Sequence, residues 1–173
     1  KLKSATRREP AYLREILRIL PSKLNAKGYL GEIYGFDSET GLQLFDEQQL
    51  SGHNWLLRGL LEYYILCGDE AAKNIAIKIL KNLYLPLTGN YKGYPLSPEE
   101  RTACKGRYDG NICGKVRNWL ISTDIGCAFM CLDALSQAYE VFGLAECKEL
   151  ADEILPIGKE VADFDSVMYN KNG

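Results

Sequence analysis

A single histidine is surrounded by amide and aromatic side chains near the middle of the chain. His53 is the only histidine, and Gln48, Gln49, Asn54 and Trp55 lie within a few residues of it. Carboxamides donate and accept hydrogen bonds, and an indole ring covers C–H surface, so this set suits a pyranose or furanose ring. In the alternative interpretation, Trp55 belongs to the core and His53 packs at the start of a helix.

Carboxylates that could carry acid–base chemistry occur at two places. Asp124 falls in the first turn of a predicted helix, where it is a candidate general acid or acceptor for hydroxyl groups, although a helix-start aspartate explains it equally well. Glu32, Tyr34 and Asp37 follow a glycine-rich turn and either face a ligand or serve the turn itself. A glycosidase holds two carboxyl groups about 5–5.5 Å apart for retention or about 6.5–9.5 Å apart for inversion. Asp124 with Glu32 or Asp37 is the candidate pair.

Two further groups are interpreted as structural. Asp46 and Glu47 are adjacent, so they do not share a face, and we expect both to be solvated. Cys127 and Cys131 stand four residues apart and share one helix face. A metal ion needs more ligands than this pair supplies, so core packing is the favoured interpretation.

The chain contains six cysteines, most of them inside helical patterns, where a thiol behaves as a small hydrophobic group. This usage favours reduced thiols and a cytoplasmic setting, while a disulfide between Cys104 and Cys113 and a secreted or periplasmic setting remain the alternative. The formal net charge of −2 gives no reason to expect nucleic acid or a membrane surface as a partner.

The elements that must position these residues include a helical hairpin that the chain contains twice. The stretch GLLEYYILCGDEAAKNIAIKIL begins at Gly59, ALSQAYEVFGLAECKELADEIL begins at Ala134, and the two align without a gap. Each copy predicts a helix, a break at Gly68 or Gly143, and a returning helix. A repeat of this kind predicts stacked helix pairs, because one pair cannot bury its own apolar face.

Apolar periodicity gives the approximate bounds of the helices. One lone helix comes first, and the two hairpins follow it. Pro156 is expected to kink or end the last helix. The predicted ranges are 10–20, 53–66, 69–83, a third arm from Ser122 or Thr123 to Phe142, and 146–163.

A long connection from Leu85 to Leu120 separates the two hairpins. It is rich in proline, glycine and tyrosine, and unstructured connections of this length are uncommon unless they have a function. Trp119 lies near its end, just before Asp124. We therefore predict that Trp119 lines the mouth of the same pocket.

The turn GYLG, which starts at Gly28, and the hairpin that follows Gly52 resemble the catalytic toroid of the β-L-arabinofuranosidase group, glycoside hydrolase family 127 and its relatives. The resemblance implies that His53 bonds a sugar hydroxyl near the centre of a ring of helices and that Asp124 faces the same pocket. Cys67 departs from the threonine usual in the family. The matching residues are Gly28, Tyr29, Leu30, Gly31, Gly52, His53, Leu60, Leu61, Tyr63, Tyr64, Gly68 and Asp69.

The family's Glu-x-Cys stretch, which carries its nucleophile, its zinc ligands and its acid/base glutamate, has no counterpart in this sequence. No cofactor is therefore expected in this segment, and zinc belongs to the full-length family. Half a ring would leave apolar helix faces exposed to water, at a free-energy cost of about 25 cal/mol per Å² of apolar surface. We expect residues 1–173 to be one part of a larger catalytic domain, completed by further chain segments or by a homo-oligomer.

We therefore predict an all-α fold of repeated αα-hairpins forming part of an (α/α)6 toroid, and a glycoside hydrolase with carbohydrate as its ligand. One alternative is an unsaturated glucuronyl hydrolase or polysaccharide lyase, whose uronate would be bound by basic residues of the long connection. A second is a non-enzymatic helical-repeat binding module, which predicts regular hairpins without such a connection. The basic residues in question are Arg101, Lys105, Arg107 and Arg117.

Overall fold

Six α-helices and a small three-stranded sheet form the part of the chain that the computed structural model describes, residues 11–103, 114–122 and 126–161. The mostly helical character of the predicted all-α fold is confirmed, a small sheet of three short strands is present beside the helices, and the described residues do not show a toroid. None of the helices in these ranges is long and apolar enough to cross a membrane. The elements are α1 (Ala11–Ile19), β1 (Phe45–Asp46), α2 (Glu47–Cys67), α3 (Glu70–Ile79), α4 (Pro98–Ala103), β2 (Gly114–Val116), β3 (Trp119–Ile121), α5 (Cys131–Phe142) and α6 (Ala145–Val161).

The duplicated hairpin folds as predicted, with α2 returning as α3 and α5 returning as α6. Gly68 and Gly143 end the two leading helices, both at a φ of 68°, a left-handed conformation that glycine adopts without strain. Their N–H groups donate to the carbonyls of Tyr64 and Tyr139. Asp69 caps α3, because its side chain accepts a hydrogen bond from the Ala72 N–H at 2.8 Å. Because α5 packs along α2, the two hairpins stack on each other.

Helix α2 begins earlier than the sequence predicts, at Glu47. The Asp46 carboxylate accepts hydrogen bonds from the backbone N–H groups of Gln48 and Gln49 at 2.8 and 3.3 Å, which satisfies the free donors of the first turn. His53 therefore lies inside the helix rather than at its start. The prediction of a solvated Asp46 is wrong, because this side chain is a buried cap.

The third arm becomes helical later than predicted, at Cys131. Ser122 lies beyond the end of β3 and outside any helix, and Thr123 lies outside the described residues. Gly126, with a φ of 108°, precedes a single 3-10 turn that leads into α5. Pro156 lies inside α6, so it does not end that helix.

The described parts of the long connection are folded against the first hairpin. β3 pairs in parallel with β1, with Trp119 opposite Phe45, and antiparallel with β2, so that β3 is the central strand. β1 runs directly into α2. The sheet therefore fastens the end of the connection to the start of α2.

A buried aromatic cluster packs around Trp119 of β3. Tyr91 and Tyr94 lie against Trp119 with ring centroids 5.3 and 4.9 Å apart, the second pair edge to face. Phe129 completes the cluster against both tyrosines. The tyrosines of the connection that the structure describes are thus core residues.

The Glu47 carboxylate is completely buried, so the prediction that it is solvated is wrong. It pairs with the guanidinium of Arg101 and accepts hydrogen bonds from the Tyr94 hydroxyl, at 2.6 Å, and from the N–H and hydroxyl of Ser122. These contacts join the start of α2 to α4 and to the end of β3. Of the two neighbouring carboxylates, Asp46 caps α2, whereas Glu47 binds Arg101, Tyr94 and Ser122.

Candidate functional site

A glycine-rich turn lies against α2 and forms one wall of a pocket. The Asn25 side-chain oxygen accepts hydrogen bonds from two backbone N–H groups within the turn. Gly28 and Gly31 have φ values of 86° and 83°. A Cβ added at Gly31 would lie 3.0 Å from the Nε2 atom of Gln49. Glycine is therefore required at Gly31 both for the backbone conformation and for the close approach of α2.

Two side chains of α2 hold this turn in place. Gln49 Nε2 donates to the carbonyls of Leu30 and Glu32 at 3.1 and 2.9 Å. His53 Nε2 accepts from the Leu30 N–H at 2.9 Å, which leaves Nδ1–H to donate to the Gln49 carbonyl at 2.7 Å. Both ring nitrogens are thus engaged with the backbone. His53 therefore positions the turn. The predicted hydrogen bond between its ring and a sugar hydroxyl cannot form, because neither ring nitrogen is free.

The pocket between the turn and α2 has a volume of about 530 Å³. Its walls combine backbone of the turn with polar side chains from the first turns of the helix. This volume lies within the range of about 300–1,000 Å³ that is typical of small-molecule sites. The polar side chains that line it are Glu32, Tyr34, Asp46, Gln48, Gln49 and His53.

Carboxylates, amides and a phenol determine the chemistry of this pocket. The Tyr34 hydroxyl donates to the second oxygen of Asp46 at 2.9 Å, and burial together with this hydrogen bond raises the pKa of Tyr34, so the phenol stays protonated. In the described part of the chain, neither lysine nor arginine lines the pocket. The pocket therefore favours neutral hydroxyl-bearing or positively charged ligands over anions.

Protonation of His53 is expected to loosen the turn, because an imidazolium has no lone pair to accept the Leu30 N–H. Burial lowers the pKa of His53 below its ordinary value of about 6.5. The neutral ring therefore stabilises the fold above about pH 6.5, and this contribution is lost as the pH falls towards the lowered pKa. Since His53 is the only histidine, its ring proton resonances report the titration directly.

The matching stability measurement compares urea unfolding of the native chain and His53→Gln between pH 7 and pH 5. We expect the slope of unfolding free energy against pH to flatten in the variant. An NMR titration midpoint for His53 at or above about 6.5 contradicts this account.

Four of the predicted ligand-binding residues line this one pocket. Glu32 and Tyr34 come from the segment after the GYLG turn, whereas Gln48 and His53 come from α2. Asp37 does not join them. Its carboxylate pairs with Lys115 and accepts hydrogen bonds within its own turn, which is the structural alternative named for it above.

The remaining predicted residues lie elsewhere. Trp119 is 0% exposed in the aromatic cluster, so the prediction that it lines a pocket mouth is wrong. Asn54 is buried, and Trp55, 61% exposed, lines a separate apolar groove between α1 and α2. Helical residues about 100° apart point in different directions, so Asn54 and Trp55 leave the face that carries His53. Asp124 lies outside the described residues, as do Cys104 and Cys113.

Asp46 is the pocket residue that sequence reasoning missed. Its signal was present, because an aspartate three residues before Gln49 resembles the start of a capping box. Because the predicted helix begins at His53 and α2 begins at Glu47, the capping role of Asp46 was not predicted.

Metal binding finds no support in residues 11–103, 114–122 and 126–161, where no cluster of three or more His, Cys, Asp or Glu side chains could hold an ion. Cys131 is buried, and burial raises the pKa of its thiol to about 12, as expected for a core cysteine. Cys127 lies in the preceding 3-10 turn and accepts a hydrogen bond from Gln48.

Comparison with protein-family models, with curated proteins and with solved structures finds no match to this chain, so the resemblance to β-L-arabinofuranosidases remains a prediction from its residues alone.

Proposed function

We propose that the pocket between the GYLG turn and α2 binds a neutral sugar, and that the chain is part of a toroidal glycoside hydrolase of the β-L-arabinofuranosidase type. The single observation that supports this most is the convergence of Glu32, Tyr34, Gln48 and His53 on one pocket.

The way the pocket is built supports a role in binding. Gln49 and His53 use their polar atoms to hold the turn, which fixes the wall that carries Glu32. Gln48 and the Tyr34–Asp46 pair then present amide, phenol and carboxylate groups to the cavity. Amide and carboxylate oxygens accept from sugar hydroxyls, and the Gln48 amide can donate in return.

A uronate is less suited to this pocket than a neutral sugar. Arg101 is buried against Glu47, and Arg117 pairs with Glu100 at 2.7 Å. Lys105 and Arg107 lie outside the described residues. The charged side chains known to line the pocket are the acidic Glu32 and Asp46, which repel a carboxylate ligand. The glucuronyl hydrolase alternative therefore has no supporting contact in the described part of the chain.

The role of Asp124 as general acid remains a prediction, because the described residues do not include it. Within the pocket, Asp46 is committed to the helix cap and to Tyr34. Glu32 is the more exposed carboxylate. We propose that Glu32 contacts the sugar.

Titration with L-arabinose, methyl β-L-arabinofuranoside and glucuronate tests this proposal. We expect the neutral sugars to shift the NMR signals of the Gln48 side-chain amide and of the Gly31 N–H, and glucuronate to shift neither. Gln48→Ala should weaken binding about tenfold, which corresponds to the loss of one hydrogen bond of about 1.4 kcal/mol.

Gln137→Ala provides the matched control, because Gln137 donates to Glu62 on the solvent side of the two hairpins, away from the pocket. Its affinity for the sugars should equal that of the native chain. Equal affinities of the native chain and Gln48→Ala, or no shift at Gly31 with any sugar, would count against a sugar site here.

A further inference from the structure

The side-chain hydrogen-bond donors that line the pocket beside the GYLG turn are almost all used within the protein. Gln49 Nε2 donates to two carbonyls of the turn, which uses both of its hydrogens, and the Nδ1–H of His53 donates to the Gln49 carbonyl. The Tyr34 hydroxyl donates to Asp46 at 2.9 Å. Gln48 gives one amide hydrogen to a cysteine sulfur at 3.4 Å and keeps the other. A ligand therefore meets few side-chain donors in this pocket.

The side-chain acceptors of the same pocket remain largely unused. Among the described residues, no hydrogen bond occupies the Glu32 carboxylate or the amide oxygens of Gln48 and Gln49. A carboxylate offers about four lone-pair sites and an amide oxygen offers two. The Asp46 carboxylate accepts three bonds within the protein, so it has little capacity left. The pocket thus offers a ligand many acceptors and few donors.

The charges around the pocket point in the same direction. Glu32 and Asp46 are the charged residues of its lining, and none of the lining residues is basic. The start of a helix ordinarily attracts an anion, because its first N–H groups lack partners. Here Asp46 already accepts from the N–H groups of Gln48 and Gln49. The anion position at the start of α2 is therefore filled by the protein's own carboxylate, and the remaining charge, on Glu32, attracts a cation.

We propose that the pocket prefers sugars that carry a protonated amine, and that Glu32 binds the ammonium group and determines this specificity. The inference rests on the sugar site proposed above and extends it from neutral sugars to amino sugars. An ammonium group has three donors and no acceptor, so it matches a pocket rich in acceptors better than a hydroxyl group does, since a hydroxyl also brings an acceptor. Because Glu32 is exposed, it can pair with the ammonium without the full desolvation cost of a buried ion pair.

Calorimetric titration with D-glucosamine, D-glucose and N-acetyl-D-glucosamine tests this preference. The three sugars share one ring and differ at one substituent, which is an ammonium, a hydroxyl or a neutral amide at about pH 6.5. We expect the native chain to bind glucosamine about fivefold more tightly than glucose, and N-acetylglucosamine no more tightly than glucose. The preference should shrink between about 0.01 M and about 1 M salt, because salt screens an exposed ion pair.

Glu32→Gln removes the charge and keeps the shape of the side chain. We expect the ratio of glucosamine to glucose affinity to fall to about one in this variant. Glu140→Gln is the matched control, because Glu140 is an exposed glutamate of α5 that does not line the pocket. It removes the same charge from the protein as a whole, and it should keep the native ratio.

The outcomes separate this inference from the sugar site on which it rests. A native chain that binds glucose and L-arabinose, but binds glucosamine no more tightly, overturns the preference for an amine and leaves the neutral-sugar site standing. A preference that persists in Glu32→Gln overturns the role of Glu32. A native chain that binds none of these sugars overturns both the preference and the site.

Discussion

Replacing Arg101 by methionine is expected to destabilise the protein by about 3–5 kcal/mol. The substitution keeps an unbranched side chain but removes the cation that faces Glu47, a carboxylate with no exposed surface. Its remaining donors, the Tyr94 hydroxyl and the N–H and hydroxyl of Ser122, do not neutralise the charge. Urea unfolding followed by circular dichroism measures the difference.

Arg117→Met is the control for this substitution. Arg117 also pairs with a glutamate, Glu100, but its side chain is 49% exposed, and an exposed ion pair is worth about 0–1 kcal/mol. A loss of stability in Arg101→Met no larger than that in Arg117→Met would show that the buried pair does not hold α2, α4 and β3 together.

Trp119→Ala is expected to cost about 3–5 kcal/mol, because it removes the largest side chain of the aromatic cluster and leaves a cavity between Phe45, Tyr91 and Tyr94. Trp119→Phe should cost much less. Among the described residues the indole N–H has no acceptor, so phenylalanine loses no hydrogen bond and keeps most of the ring contacts. Thermal and urea unfolding of both variants measure the two costs.

Trp55→Ala is the control, because it compares the loss of a surface tryptophan with the loss of the core residue Trp119. Trp55 is largely exposed, and we expect its removal to change the unfolding free energy by less than about 1 kcal/mol. If Trp119 instead lined a sugar pocket, Trp119→Ala would weaken sugar binding and leave stability nearly unchanged. That pattern would contradict the buried cluster described here.

The hairpins could be predicted because their signals are local. The glycine at each helix end, the aspartate at the start of α3 and the apolar period all act within a few residues, and each has the predicted effect in the structure. The pocket was partly predictable for a related reason. Gln49 and His53 stand four residues apart on α2, so helical geometry places them on one face, although the predicted helix began only at His53.

The long connection could not be predicted in the same way. β3 has only three residues, which is too short for a periodic pattern to predict the strand. Its pairing with β1 joins segments that are distant in the sequence, so local signals do not predict that pairing either. Trp119 was predicted to line the mouth of a pocket. It is a core residue instead, because the connection folds back and its last strand pairs with the strand that leads into α2.

The sequence by itself determined the two helical hairpins and their glycine ends, because helix period and capping are decided by neighbouring residues. Only the tertiary structure decided that Glu47 is buried, that Trp119 is core and that both nitrogens of His53 hold the GYLG turn. Burial and hydrogen-bond pairing depend on which distant segment arrives at a side chain, and that is settled when the whole chain packs.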